Sequence, residues 1–450
     1  MRTCSFSVHS VTFQTIGTVG LLLLISIPTF SQRAGGEWEI LNQELMSLYQ
    51  NGEFDRAVIV AKKALEVAEK NYGVDHPIVA RSLNNLAMLY SSQGQYAQAE
   101  PLFKRSLAIS EKALGPDHPD VATSLNNLAE LHHSLGQFAE SEQLFKRSLS
   151  IREKALGTDH PDVATSLNNL AELYRHQEQY ALAEPLYKRS LAIWEKSLGP
   201  DHSDVAISLN NLAKMYHSQG QYTQAEPLYK RSLAITEKSL GPDHPDVAAC
   251  LNNLAALYHS QGQFAQAEPL FERSLAITEK ALGPDHPDVA MCLNNLAVLQ
   301  RSQFHYDKAE PLFKRSLAID EKVLGPNHIS VATDLNNLAE LYQSQGRYAQ
   351  AEPLYLRSLA IKDKALGPDH PDVAMSLNNL ASLYQLQGQY VPAEPLFKRS
   401  LAIREKALGP DHPDVATSLE NIALLCRLTN RTEEADALEK RATEIRAIKR

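Results

Sequence analysis

The chain has 450 residues, with 44 Lys plus Arg against 53 Asp plus Glu and a formal net charge of −9. The two signs are interspersed, which leaves neither a basic face for a nucleic acid nor a polybasic tail for an anionic membrane. At 44% hydrophobic and 22% charged residues, the bulk has the composition of a packed protein rather than a disordered one.

Residues 1–32 stand apart. Arg2 is their only Lys, Arg, Asp or Glu, and Ile16 to Ile27 is apolar apart from Gly, Thr and Ser. This stretch is short for a membrane span, which needs about 20 residues, and fits a secretory core ended by Pro28. Thr29-Phe30-Ser31 offers a cut before Gln32. The expectation is a signal peptide or N-terminal hydrophobic leader on an exported chain, periplasmic or secreted if the leader is cleaved. The alternatives are a membrane-tethered or a cytoplasmic chain. No cysteine follows the apolar run, which argues against lipoprotein processing.

From residue 79 the chain repeats every 42 residues without an insertion. Asn-Asn recurs at 84–85, 126–127, 168–169, 210–211, 252–253, 294–295, 336–337 and 378–379. A fixed period of this length marks a solenoid. In one row Val121, Leu125, Leu128, Ala129 and Leu131 follow helical spacing, and so do Ser141, Leu144, Phe145, Ser148, Leu149 and Ile151. Each row is thus two helices, A and B. Pro116-Asp117-His118-Pro119 opens helix A, with Asp117 or His118 as cap and proline in the first turn. Glycines 94, 136, 220, 262, 346 and 388 reverse the chain between the helices at positive φ. Glu178 and Phe304 replace that glycine in two rows, so those turns must close differently or carry strain. Pro101, Pro185 and Pro227 fall near the start of helix B, in its first turn or at a mild bend.

The predicted fold class is all-α: an α-solenoid of tandem antiparallel helix pairs, each covering its apolar face against its neighbours. Residues 38–78 form a divergent N-terminal capping pair, 79–414 eight 42-residue units, and 415–450 a C-terminal capping pair whose last helix runs over about 433–447. Beyond Cys4, only Cys250, Cys292 and Cys426 are present. An odd, sparse set without CxxC is no disulfide or zinc framework, and the reading is small packing residues.

The row pattern Leu-Asn-Asn-Leu-Ala-x-Leu-Tyr, Gln-Gly-x-Tyr, Ala-Glu-Pro-Leu-Tyr-Lys-Arg-Ser-Leu-Ala-Ile and Leu-Gly-Pro-Asp-His-Pro closely resembles the long tetratricopeptide repeats of kinesin light chains, over roughly residues 38–447. The resemblance implies a right-handed superhelix with helix A lining a concave groove and helix B outside, and a protein that binds peptide segments of partners. Kinesin light chains recognise tryptophan with acidic residues. They also carry a heptad coiled coil before the repeats where this chain has an export-like leader, so a motor-cargo role is not expected.

Because the rows are near copies, their differences point to the binding face. Three columns of helix A disagree most. One runs Arg81, Thr123, Thr165, Ile207, Ala249, Met291, Thr333, Met375. A second runs Met88, Glu130, Glu172, Lys214, Ala256, Val298, Glu340, Ser382. The third runs Ser91, His133, Arg175, His217, His259, Arg301, Gln343, Gln385. Beside them stands a constant ladder of Asn84, Asn126, Asn168, Asn210, Asn252, Asn294, Asn336 and Asn378. Side-chain amides can pair with the backbone of any extended peptide, and each bond nets only roughly 0.5–1.5 kcal/mol, so several rows must act together. The competing reading is that these asparagines bond between neighbouring helices. Arg175, Lys214 and Arg301 with His176, His217 and His259 enrich the middle of the groove in cations near apolar Ile207, Ala249, Met291, Ala256 and Val298. A partner protein or peptide with an acidic segment near an apolar anchor fits there; a solvated face with incidental charge is the alternative.

No catalytic residue, cofactor or metal is expected. The histidines of the Asp-His-Pro-type loops, His76 to His412, stand a full repeat apart, and His132 and His133 point about 100° apart on one helix. No GxSxG, HExxH, P-loop or GxGxxG segment occurs. The predicted function is a non-catalytic scaffold binding extended segments in the concave groove. The alternative is an architectural module that self-assembles through its ends or through helix B, where Lys104-Arg105-type dipeptides and Glu100-type acids are complementary.

Overall fold

The computed structural model describes residues 35–448; the proposed leader over 1–32 lies outside the described residues. Among the described residues there are twenty α-helices and no strand. The odd-numbered, A-type helices are α1 (Gly35–Gln50), α3 (Pro77–Ser92), α5 (Pro119–Ser134), α7 (Pro161–His176), α9 (Ser203–Ser218), α11 (Pro245–Ser260), α13 (Pro287–Ser302), α15 (Ile329–Ser344), α17 (Pro371–Leu386) and α19 (Pro413–Leu428). Their B-type partners are α2 (Phe54–Tyr72), α4 (Tyr96–Leu114), α6 (Phe138–Leu156), α8 (Tyr180–Leu198), α10 (Tyr222–Leu240), α12 (Phe264–Leu282), α14 (Tyr306–Val323), α16 (Tyr348–Leu366), α18 (Tyr390–Leu408) and α20 (Thr432–Arg446). No helix of the described residues is long and apolar enough to cross a membrane.

The helix ends have local causes. Of the two cap candidates, the histidine acts: His118 Nδ1 accepts from the Asp120 amide at 3.1 Å, and His76, His160 and their counterparts through His412 do the same. A ring nitrogen thus does the work of the usual cap oxygen. Glu178 (φ 54) and Phe304 (φ 62) adopt the left-handed conformation that glycine takes in the other rows, as at Gly136 (φ 68). Those turns therefore close in the same way, at about 1–2 kcal/mol of backbone strain each. Pro101 and its counterparts lie in the second turn of helix B, and the helix continues through them.

Packing explains the constant letters. The Ser148 hydroxyl donates to the Ala122 carbonyl at 2.8 Å, holding B against A, and the same bond recurs from Ser106 to Ser400. Tyr174, Tyr216 and Tyr258 hydroxyls donate to Glu142, Glu184 and Glu226 of the preceding row, which gives the Glu before each Pro-Leu a function. Val121, Leu125 and Ile151 sit in one of many small buried clusters, with Tyr187, Tyr229 and Phe313 wholly enclosed. On the outer surface, Lys104 pairs with Glu100 at 2.5 Å and Arg105 with Glu69 at 2.7 Å. The charges considered for helix B self-pairing are thus matched inside the chain, in exposed pairs worth little to stability.

Rows six apart also touch. Gly52, Gly94 and Gly136, in the A–B turns of rows 1 to 3, lie against His286, His328 and His370, the helix-A caps of rows 7 to 9. His328 Nε2 bonds the Ser92 carbonyl at 3.1 Å, and His370 Nε2 bonds the Ser134 carbonyl at 3.2 Å. Because each Nδ1 already accepts the cap amide, the proton of the neutral ring is on Nε2 and donates across. The residues of row 4's turn, 177–182, face residues 408–412 of row 10 around a crevice of about 430 Å³. Consecutive coils of the superhelix therefore meet along a seam.

Gly136 and Gly220 test that seam. Both have the same left-handed backbone (φ 68 and 71), but a Cβ on Gly136 would lie 2.9 Å from Pro371 Cδ, whereas one on Gly220 meets nothing within 4 Å. Gly136→Ala should cost about 1 kcal/mol or more beyond Gly220→Ala, the lower end of the overpacking range. Equal shifts in thermal melts would mean the coils part freely.

Candidate binding site on the inner wall

Successive A helices bond directly to one another through short side chains, whereas successive B helices are bridged by long Arg–Glu pairs such as Arg147–Glu111, and Lys196 of α8 reaches Asp159 in the loop before α7. The A side has the smaller radius, so the A helices form the inner wall.

The asparagine ladder runs along this wall. In each row the second asparagine donates from Nδ2 to Oδ1 of the first asparagine one row earlier: Asn127 to Asn84 at 2.9 Å, Asn211 to Asn168 at 3.0 Å, Asn253 to Asn210 at 2.8 Å, Asn295 to Asn252 at 3.1 Å. Asn169, Asn337 and Asn379 donate in the same way to Asn126, Asn294 and Asn336. Asn42 accepts at one end and Asn421 donates to Asn378 at the other. The candidate residues therefore have their acceptor occupied by the next row. Their own NH₂ groups differ. Asn126 donates to Glu130, Asn336 to Glu340, and Asn84 contacts the Met88 sulfur. The Asn252 amide nitrogen is buried with no partner. The amide hydrogens of Asn168, Asn210, Asn294 and Asn378 form none of the side-chain bonds found among the described residues.

Removing a donor exposes the worth of a rung. Asn253→Ala leaves Asn210 Oδ1, on a residue only 8% exposed, without its hydrogen bond, at an expected cost of about 1–3 kcal/mol. Urea denaturation reads it, and an unchanged midpoint would mean that water replaces the rung.

The variable column is also bonded from row to row. Arg175 pairs with Glu172 through two nitrogens, at 2.6 and 3.0 Å, and reaches Ser218 of the next row. Glu172 also accepts from the Tyr187 hydroxyl at 2.5 Å and bonds His176. Burial pushes the Glu172 carboxyl up, but Arg175 and the hydrogen bonds from His176 and Arg175 outweigh it and hold the group well below the usual carboxylate range. His217 and His259 Nε2 bond Ser260 and Ser302 of the following rows at 2.8 Å. Burial lowers His217 to about 4, reinforced by His259 and Arg175. Arg301 pairs with Glu340 of the next row at 2.5 Å.

Lys214 differs from its neighbours: its half-buried ammonium forms none of the hydrogen bonds or ion pairs found among the described residues. Burial lowers it to about 8, with Glu172 pulling it back up and Arg175 pushing it further down. Ile207 and Ala249 are exposed, and Ala256, Met291 and Val298 are half-buried. Among the described residues, no three His, Cys, Asp or Glu side chains group as metal ligands. Cys292 and Cys426 are buried and Cys250 half-buried, all as free thiols, and burial raises all three.

One column was missed in the sequence. On helix B, Ser110, Arg152, Trp194, Thr236, Thr278, Asp320, Lys362 and Arg404 vary as widely as the helix A columns, yet most are buried where B meets the next row. Arg152 donates to Ser166 at 2.9 Å and to the Asp162 carbonyl at 3.0 Å, and Arg404 does the same to Ser418 and Asp414. Their variation tracks the neighbouring helix rather than a ligand.

Fold and wall together define a helical-repeat scaffold. The tetratricopeptide repeat family profile matches the chain in nine overlapping stretches from 46–112 to 372–447. The chain belongs to the tetratricopeptide repeat family, and its rows are of the kinesin light chain-like 42-residue type. No curated protein sequence matches it. Among solved structures, it is similar to a putative kinesin light chain with nearly identical TPR-like repeats from Podosopora anserina, at 33% identity over 46% of this chain and 97% of that one, TM-score 0.40. It is also similar to BtubC (BKLC) from P. vanneervenii, at 26% identity over 52% of this chain and 92% of that one, TM-score 0.41. A Rap protein complexed with competence and sporulation factor shares the fold at 15% identity over 83% of this chain and 99% of that one, TM-score 0.56.

Proposed function

We propose that this protein is a non-catalytic scaffold that takes an extended segment of a partner protein along its inner wall, with an acidic side chain of that segment on Lys214. The carrying observation is Lys214 itself, a cation that forms none of the hydrogen bonds or ion pairs found among the described residues, beside the Glu172–Arg175 and Arg301–Glu340 pairs. The neighbouring first-asparagine amides of Asn168 and Asn210 can still donate to a peptide carbonyl. Ile207, Ala249 and Ala256 give an apolar side chain a place beside it. Leaving a lysine half-buried and unpaired costs free energy, which a bound carboxylate would recover. The same reading places the chain outside the cytoplasm, with residues 1–32 removed on export; N-terminal sequencing of the protein recovered from its native host tests this.

Because the asparagines also hold the rows together, Lys214 is the cleaner lesion. An array of peptides pairing an acidic residue with an apolar one should be retained by the wild type and lost from Lys214→Glu, with both proteins giving the same circular dichroism spectrum. Retention of the same peptides by Lys214→Glu would overturn the reading.

A further inference from the structure

The seam is an interface that the chain uses incompletely. Rows 1 to 4 present A–B turns that are covered by the caps of rows 7 to 10. Among the described residues, rows 5 to 10 present the same turns with nothing above them, and rows 2 to 6 present the same caps with nothing below. The burial of the cap histidines records the difference: the side chains of His118, His160, His202 and His244 are 41%, 40%, 41% and 40% exposed, whereas that of His286, inside the seam, is 10% exposed. The last carbonyls of an A helix have no intrahelical donor. At Ser92 and Ser134 a histidine Nε2–H from the next coil supplies one.

Two of the free turns, in rows 7 and 9, also differ chemically from the covered turns of rows 2 and 3, whereas those of rows 6 and 8 carry the same Ser, Gly and Ala. Phe304 is 76% exposed, Val391 88% and Leu386 55%, at or beside turns where the covered rows carry glycine, alanine and serine: Gly94, Ala97 and Ser92, or Gly136, Ala139 and Ser134. Exposed apolar side chains gathered on one rim mark a contact surface.

From these observations we infer that the two rims dock on each other between copies of this chain, the A–B turns of one copy receiving the His-Pro caps of the next. The seam hydrogen bonds join residues 236 apart, and ten rows of 42 residues set the register. The carbonyls of Ser260, Ser302, Ser344, Leu386 and Leu428 meet His76, His118, His160, His202 and His244 of the second copy. Five of the six free turns, those of rows 6 to 10, meet the five free caps, and the row 5 turn at Gly220 has no histidine cap opposite it. The occupant is a second copy because the docking chemistry is the one the chain already uses on itself. The contact is heterologous and leaves one rim free at each end, so it generates open stacks rather than closed dimers. The last helix does not supply it: Glu439 and Thr443 of α20 stand where the rows carry Phe or Tyr and Leu, which gives a following helix no apolar face. The inference is independent of what the inner wall binds.

Sedimentation velocity of the full chain over a concentration series tests it. The wild type is expected to gain mass in whole-chain steps as concentration rises, while the double variant Phe304→Glu, Val391→Glu keeps the mass of one chain and an unchanged circular dichroism spectrum. Both positions are solvent-exposed, so the variant should fold. Its cap rim is intact, so adding it to wild type should shorten the wild-type stacks by ending them. A wild type of single-chain mass at every concentration overturns the inference, and so does a variant that assembles as the wild type does.

Discussion

Asp334→Ser should stabilise the protein by about 2–4 kcal/mol at pH 8, the scale of an uncompensated buried charge, and by far less at pH 4. Asp334 on α15 and Asp320 on α14 are 3% and 5% exposed and interact directly. Asp320 Oδ1 and Asp334 Oδ2 have no hydrogen-bond partner. Other rows place serine or cysteine at the Asp334 slot, as at Ser208 and Cys250. The Ser316 hydroxyl has one proton for two acceptors, the Ala290 carbonyl at 2.8 Å and Asp334 Oδ1 at 2.9 Å. A proton on the Asp334 carboxyl would let both contacts form as hydrogen bonds. Burial raises both groups, Asp320 adds to the rise at Asp334, and Asp288 on α13 and Glu321 on α14 contribute further negative charge. With folded-state values above the unfolded ones, the stability tied to these protons is complete below about pH 3.9 and is lost as pH rises through the folded values. Melting temperatures of wild type and variant at pH 4 and pH 8 check this. The same gain at both pH values would show that the pair holds no extra proton.

Glu172→Gln is expected to cost about 2–4 kcal/mol at pH 7. That is slightly under the range for breaking a fully buried pair, because the Glu172 side chain keeps 29% exposure. Glutamine preserves the volume but leaves Arg175 facing Lys214 and the His133–His176 ring pair without its carboxylate. The folded-state value of Glu172 lies below the unfolded one, so its contribution is full above the ordinary carboxylate range and fades as pH falls through the folded value. Arg175→Met added to Glu172→Gln should recover most of the loss, since no charge is then stranded. If the double variant is no more stable than the single one, the pair is not the source of the cost.

How far the sequence revealed this molecule depends on the range of each cause. Helix A and helix B were legible because their causes are local: apolar spacing, a histidine cap, and a turn glycine. The cap itself was left between Asp117 and His118, since only the ring orientation decides it. The asparagine pair at 126–127 announced itself by constancy, but its bonding partner lies 43 residues away. That offset depends on how far one row rotates against the next, which no single row encodes. The inner-wall columns were visible as variation. The Arg152 column varies equally, and only its burial against the next row, which a single row does not show, separates it from the inner-wall columns. The seam was hidden most deeply: a small rotation per row must accumulate over six rows before His328 arrives over Ser92, and a slightly different rotation would leave a gap.

That arrival changes the mechanics of the array. A solenoid whose coils never touch extends like a spring, and its repeats unfold as a one-dimensional chain of neighbours. Here contacts between row 2 and row 8 tie distant parts into a cylinder, so pulling on the two ends must first tear Ser92 from His328 and Ser134 from His370. Optical-tweezers traces should show a stiff rise and an abrupt yield in place of smooth lengthening. Shortened forms with six rows or fewer, which have no coil above them, should stretch softly from the start.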